Sequence, residues 1–170
     1  MMRIFRRFSK DRKGSTAIEF AILALPFMVI IFAILEIAIM FFMDSGLDAA
    51  MHKAVRQVRV GTAKSASWDI NKFKATICAE MAYSFSCSAN LKVRATVVTD
   101  MSSVSKVYPI VNGVFTLTED FNIGGSGNYV LVQAFLTWDP VLKLYTFSGG
   151  RLNDGKYVLG AAELFKNEPF

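Results

Sequence analysis

The sequence predicts an α+β protein in which a long N-terminal transmembrane helix continues into a periplasmic domain with a second helix and an antiparallel sheet of three to four strands. Three observations carry that prediction. Phe20 to Met43 holds one charge, Glu36, in 24 residues. Apolar residues keep a helical spacing as far as Val58, and after residue 90 their period drops from about four to two. Helices first and strands after is the order of an α+β chain, with the sheet covering a helix.

The chain of 170 residues divides into a basic leader (1–14), a long helix (15–62, with the span at about 20–43) and an outer α+β domain (63–170). Residues 1–13 carry six basic side chains, Arg3, Arg6, Arg7, Lys10, Arg12 and Lys13, against Asp11. These account for the whole formal charge of +5, so the remaining residues balance to zero. A basic cluster beside a span marks the cytoplasmic side, and the charge gives no reason to expect nucleic acid. Everything beyond Met43 then lies outside, in the periplasm of a bacterial cell.

As a helix the apolar run spans about 36 Å, enough for a hydrocarbon core of about 30 Å. Pro26 interrupts it, removing one helical hydrogen bond and favouring a bend. Glu36 falls near the outer interface, where water or a partner helix can reach it. Beyond the run, Leu47, Met51, Ala54, Val55 and Val58 share one face while His52, Lys53, Arg56 and Arg59 take the other. The helix therefore continues as an amphipathic rod to about Val60, on the order of 70 Å in all, with Gly61 as its stop.

A second helix is expected from about Asp69 to Tyr83, with Ser67 as its N-cap and Ile70, Phe73, Ile77, Cys78 and Met81 as its apolar stripe. Cys78 and Cys87 lie in an oxidising compartment on this topology, where a C-x8-C pair reads as a disulfide. No neighbouring His or second Cys pair completes a metal site. Two unpaired buried thiols are the alternative.

In “LKVRATVVT” Leu91, Val93, Ala95 and Val97 alternate with Lys92, Arg94 and Thr96, the pattern of a half-buried strand. “NYVLVQAFLTW” (Asn128 to Trp138) is apolar on both faces and reads as a central strand. “KYVLGAAELF” (Lys156 to Phe165) is a third, after the turn at Asn153, Asp154 and Gly155. “VFTLTEDF” supplies a short edge strand before “NIGGSGN”, a flexible loop.

No catalytic motif is present: there is no G-x-S-x-G, H-E-x-x-H, C-x-x-C or phosphate loop. The single histidine, His52, reads as a solvated helix residue. “GGSGN” (Gly124 to Asn128) precedes a strand, so the helix N-terminus that holds a phosphate is missing. Glu119, Asp120, Asp139 and Asp154 sit in or beside turns and read as solubilising charges. Neither an enzyme, nor a cofactor, nor a metal is expected.

A carboxylate at the mouth of an apolar helix is expensive to bury, so Glu19 requires a reason. A secretory signal peptide does not supply one, because the apolar run is too long and no small-residue cleavage site closes it. The tidy mark lies on the near side: a basic leader ending in Gly14, then Ser15, then Glu19 and Phe20 at the mouth of the span. That pattern resembles the class III, type IV-like prepilins. More closely, “GSTAIEFAILALPFMVIIFAILEIA”, with Pro26 and Glu36, resembles the TadE-like pseudopilins of the tight-adherence (Flp pilus) system, as does the closing “FKNEPF”.

The resemblance implies a single-pass inner-membrane protein cut by a prepilin peptidase between Gly14 and Ser15. It implies Glu19 and Phe20 as the assembly register, Pro26 and Glu36 as intramembrane features, and other pseudopilins and the pilus assembly platform as partners in adhesion and biofilm formation. The filament subunit of such systems is usually much shorter than the 156 residues after Gly14, so an accessory pseudopilin is implied. The alternative is a signal-anchored periplasmic binding domain unrelated to pili.

Overall fold

The computed structural model describes residues 14–81, 87–100, 104, 109–140 and 151–170. The basic leader before Gly14, and Tyr83 at the expected end of the second helix, lie outside the described residues. Among the described residues, four helices and six strands follow in order: α1 (Ser15–Arg59), α2 (Thr62–Ser65), α3 (Ile70–Glu80), α4 (Cys87–Asn90), β1 (Leu91–Val98), β2 (Ile110–Val111), β3 (Val114–Phe115), β4 (Asp120–Phe121), β5 (Tyr129–Trp138) and β6 (Tyr157–Lys166).

Helix α1 runs unbroken for 45 residues, through Pro26. Its two halves bury differently. From Thr16 to Leu35 no described side chain is buried, and large apolar residues such as Phe20 and Phe27 are exposed. From Glu36 onward one face is covered: Met43, Leu47, Met51, Ala54, Val55 and Val58 enter the core. The helix ends as its sequence predicts. Gly61 takes a left-handed φ of 81° and donates its N–H to the Val58 carbonyl, and the ring of Phe170 occupies the space that a Cβ on Gly61 would need.

Helix α3 is capped by Asp69, not by Ser67. Asp69 has the extended backbone of an N-cap, and its Oδ1 accepts from the Lys72 N–H at 2.8 Å. Ser67 has a φ of 51° and closes the turn after α2 by donating its N–H to the Lys64 carbonyl. Phe73 and Ile77 are fully buried, and Cys78 is half-buried against the core. Cys78 and Cys87 are joined as a disulfide with Cα atoms 5.7 Å apart, tying α3 to α4 and so to the start of β1.

The main sheet has the order β4-β1-β5-β6. Its three long strands are antiparallel, as expected, with Val93 opposite Ala134 and Ala134 opposite Ala161. The short edge strand differs from expectation: β4 pairs parallel to β1 through Arg94–Asp120 and Ala95–Phe121, so the sheet is mixed. Val114 and Phe115 form a separate hairpin with Ile110 and Val111. “VFTLTEDF” is therefore split between two sheets, because Asn112 and Gly113 turn with positive φ and the three residues after β3 and Thr116 lead back to β1.

One face of the sheet, with Leu91, Val93, Ala95, Val130, Val132 and Ala134 fully buried, packs toward the helices. Helix α1 lies over β6 and β5, and α3 fills the space between α1 and β1. The core is thus a two-layer sandwich whose helical layer includes the upper half of α1.

Leu47, on α1 and fully buried, tests that arrangement. Leu47→Ala is expected to destabilise the outer domain by about 2–5 kcal/mol, read as a lower denaturation midpoint in detergent micelles. Phe27→Ala, on the exposed half, is expected to leave that midpoint unchanged. Reduction of the disulfide is expected to cost about 3 kcal/mol in the chain-entropy account.

Candidate functional site

The residues singled out at the N-terminal end lie along α1. Gly14 occupies the N-cap position with φ −90° and ψ −7°, a conformation open to any residue. A Cβ there would meet nothing within 4 Å, so the fold itself makes no demand for glycine at Gly14. Ser15 is the first helical residue. Glu19 is exposed and lies past the first turn, which contains no acidic residue. Stabilisation by the helix dipole fades within that first turn. Phe20 is 73% exposed, and Pro26 is also exposed on the apolar half.

Glu36 departs from expectation. The sequence leaves it open to water or a partner helix, whereas it is 5% exposed and not without a partner. It lies where the outer domain first closes over α1, with Met40 and Met43 following on the same face.

His52 is not simply solvated either. Its Nδ1 lies 2.7 Å from Glu163 on β6, and its Nε2 lies 3.5 Å from Asp48 one turn earlier on α1. Both ring nitrogens face carboxylates. The cluster ties α1 to the edge strand of the sheet. Beside it, Arg59 pairs with Glu168 at 3.2 Å. Among the described residues no group of three or more His, Cys, Asp or Glu is placed to hold a metal ion.

Glu119 has a defined structural role. Its Oε1 accepts from Lys74 of α3 at 3.0 Å and from the Val93 N–H of β1 at 3.1 Å, while Oε2 accepts from Lys92 at 3.2 Å. It occupies the edge of β1 just before β4 takes over the pairing. Burial pushes the carboxyl up, but the hydrogen bonds from Lys74, the Val93 N–H and Lys92, with the charge of Lys74, outweigh it and hold the group below its ordinary value. Asp154 is likewise held low by Lys156, whose side chain and N–H it accepts at the turn into β6.

The glycine-rich loop is pinned, contrary to the flexible loop expected. Buried Asn167 donates through Nδ2 to the carbonyls of Ile123 and Gly125, both at 2.9 Å. Its backbone exchanges hydrogen bonds with Gly127 and Asn128. One residue on, the Glu168 N–H donates to the Arg59 carbonyl at the end of α1. “FKNEPF” therefore joins β6, the loop and the end of α1. Sequence reasoning marked this stretch only through family resemblance, since an asparagine after a strand announces no particular contact.

Fold and site define an α+β protein with a long N-terminal apolar helix: one half of a continuous helix is exposed and apolar, the other is built into a small domain. The segment from Gly14 through the lower part of that domain is TadE-like, since the family model described as TadE-like protein matches residues 14–56. That range includes Glu19, Pro26 and Glu36 and ends before the sheet. The match is consistent with a protein of the tight-adherence system. No curated protein matches the chain, and no solved structure does.

The Glu119 cluster has a pH signature. A carboxyl with a lowered folded-state pKa stabilises above its unfolded value and loses that contribution as pH falls through the folded one. The wild type is therefore expected to hold its stability down to about 4.5, the ordinary value, and to lose it below. Glu119→Gln is expected to be about 1 kcal/mol less stable at neutral pH, with a shallower loss in acid. Denaturant titrations of both proteins from pH 7 to pH 3 check the sign.

Proposed function

We propose that this protein is an accessory pseudopilin of a tight-adherence pilus system, held in the inner membrane by the lower half of α1 with its sheet-bearing domain on the periplasmic side. The observation that carries the proposal is the TadE-like segment, residues 14–56, on a helix with one half bare and apolar and the other half covered by a domain. The apolar half is long enough to cross a bilayer by length and composition, and the six basic residues before it orient that end toward the cytoplasm.

Processing by prepilin peptidase between Gly14 and Ser15 belongs to the same proposal. A glycine that the fold does not need is what a protease requires when its cleft must close on bare backbone. Cutting there frees the α-amino group of Ser15, one turn from Glu19. A carboxylate beyond reach of the helix dipole finds in that amine, on its own chain or a neighbour's, a charge that compensates its burial in an assembly. Glu19 then sets register, with Phe20 beside it as packing surface. Other pseudopilins and the assembly platform are the partners in this reading, and the disulfide suits the oxidising periplasm.

Intact mass and N-terminal sequencing of the protein from its native cell, with and without the prepilin peptidase, test this directly. The expected N-terminus is Ser15, dependent on the peptidase, and a deletion strain is expected to lose piliation. An uncut chain with normal piliation would instead describe a signal-anchored binding domain.

A further inference from the structure

The two glutamates of α1 are too close for both to lie outside a bilayer. Glu19 and Glu36 are 17 residues apart, about 25 Å along the helix, against a hydrocarbon core of about 30 Å. Tilting the helix shortens its vertical reach and makes the shortfall larger. On the opposite side of the helix no such shortfall exists. Phe20 to Phe42 spans about 33 Å; Phe41 and Phe42 are exposed by 64% and 60%, and Ile39, three residues on from Glu36 and so on the flank of the domain side, by 50%. The apolar surface of α1 is thus one bilayer long on its open side and about 9 Å shorter, the rise from Glu36 to Phe42, on the side that carries the domain.

Glu36 is the carboxylate better suited to lie below the membrane surface. It is 5% exposed, and Met40 and Met43 above it pack into the domain core. A charge already covered by its own domain enters a low-dielectric zone at less cost than one open to solvent, and Glu19 is exposed. We infer that the base of the outer domain is sunk into the outer lipid interface, with Ile39, Phe41 and Phe42 as lipid contacts and Glu36 carried beneath the headgroups under the cover of its own domain. The inference rests on the membrane-spanning reading of α1 and adds its depth. Its partner is the lipid itself: the exposed apolar length from Phe20 to Phe42 matches a hydrocarbon core, and the first acidic residues after Glu36, Asp44 and Asp48, follow directly above it.

Single fluorophores attached through Phe27→Cys, Phe42→Cys and Val60→Cys test it in the full chain, with the native disulfide intact, at high lipid-to-protein ratio in phosphatidylcholine–phosphatidylglycerol vesicles. The quenchers are a lipid nitroxide placed deep, one placed shallow, and aqueous iodide. The label at position 27 is expected to lose emission to the deep nitroxide, that at 42 to the shallow nitroxide with little loss to iodide, and that at 60 to iodide alone. A label at 42 quenched by iodide as fully as that at 60, while 27 stays lipid-quenched, would overturn the inference and leave the span intact. A label at 42 shielded from every quencher would overturn it too, by placing a second copy on that face. Iodide quenching at 27 would overturn the spanning reading itself, and the depth inference with it.

Discussion

The whole structure depends on one helix with two different surfaces. The upper half of α1 gives the sheet the apolar layer it must cover, while the lower half presents large exposed apolar side chains, long enough in extent to cross a bilayer. Leu47, Met51, Val55 and Val58 are at most 1% exposed, and burying an apolar side chain of this size contributes roughly 1.5–3 kcal/mol. Four such contributions are comparable to the net stability of a small domain, about 5–15 kcal/mol. The outer domain is therefore not an appendage on an anchor. Its core includes the continuation of the exposed apolar helix.

Around that shared helix, a few contacts fix positions that apolar packing leaves open. The Cys78–Cys87 disulfide ties α3 to the turn that begins β1. Glu119 holds α3, β1 and the approach to β4 through three donors. Asn167 and Glu168 fasten the glycine-rich loop and the end of α1 to the end of β6. The Glu163–His52 contact binds the outer strand to the helix. These are polar contacts at the margins of the sandwich, where register and approach angle are decided, and they make the domain a rigid load on α1.

The parts legible in the sequence were those written in periodicity. The helical spacing from Leu47 to Val58 and the alternation in Leu91–Val98 each report a buried face directly. What periodicity cannot report is a contact between distant residues. Glu119 looked like a solubilising charge because its lysine and amide partners come from α3 and β1. His52 looked solvated because Glu163 is more than a hundred residues away. The parallel pairing of β4 depends on the route of the chain after β3, which two residues of strand do not encode. Ser67 and Asp69 are both good N-caps by type, and only the backbone at each separates them. In the N-terminal segment the reverse holds: Gly14 has no role within the fold, so the sequence pattern around it says more than its coordinates.

The dependence of the outer domain on the upper half of α1 can be measured by comparing a fragment beginning at Asp44 with one beginning at Thr62, both ending at Phe170 with the disulfide formed. Dispersed backbone amide NMR spectra and cooperative unfolding in the longer fragment, with an unfolded spectrum from the shorter, are the predicted result. A shorter fragment that folds cooperatively without α1 would contradict the account, because the sheet would then possess a core of its own.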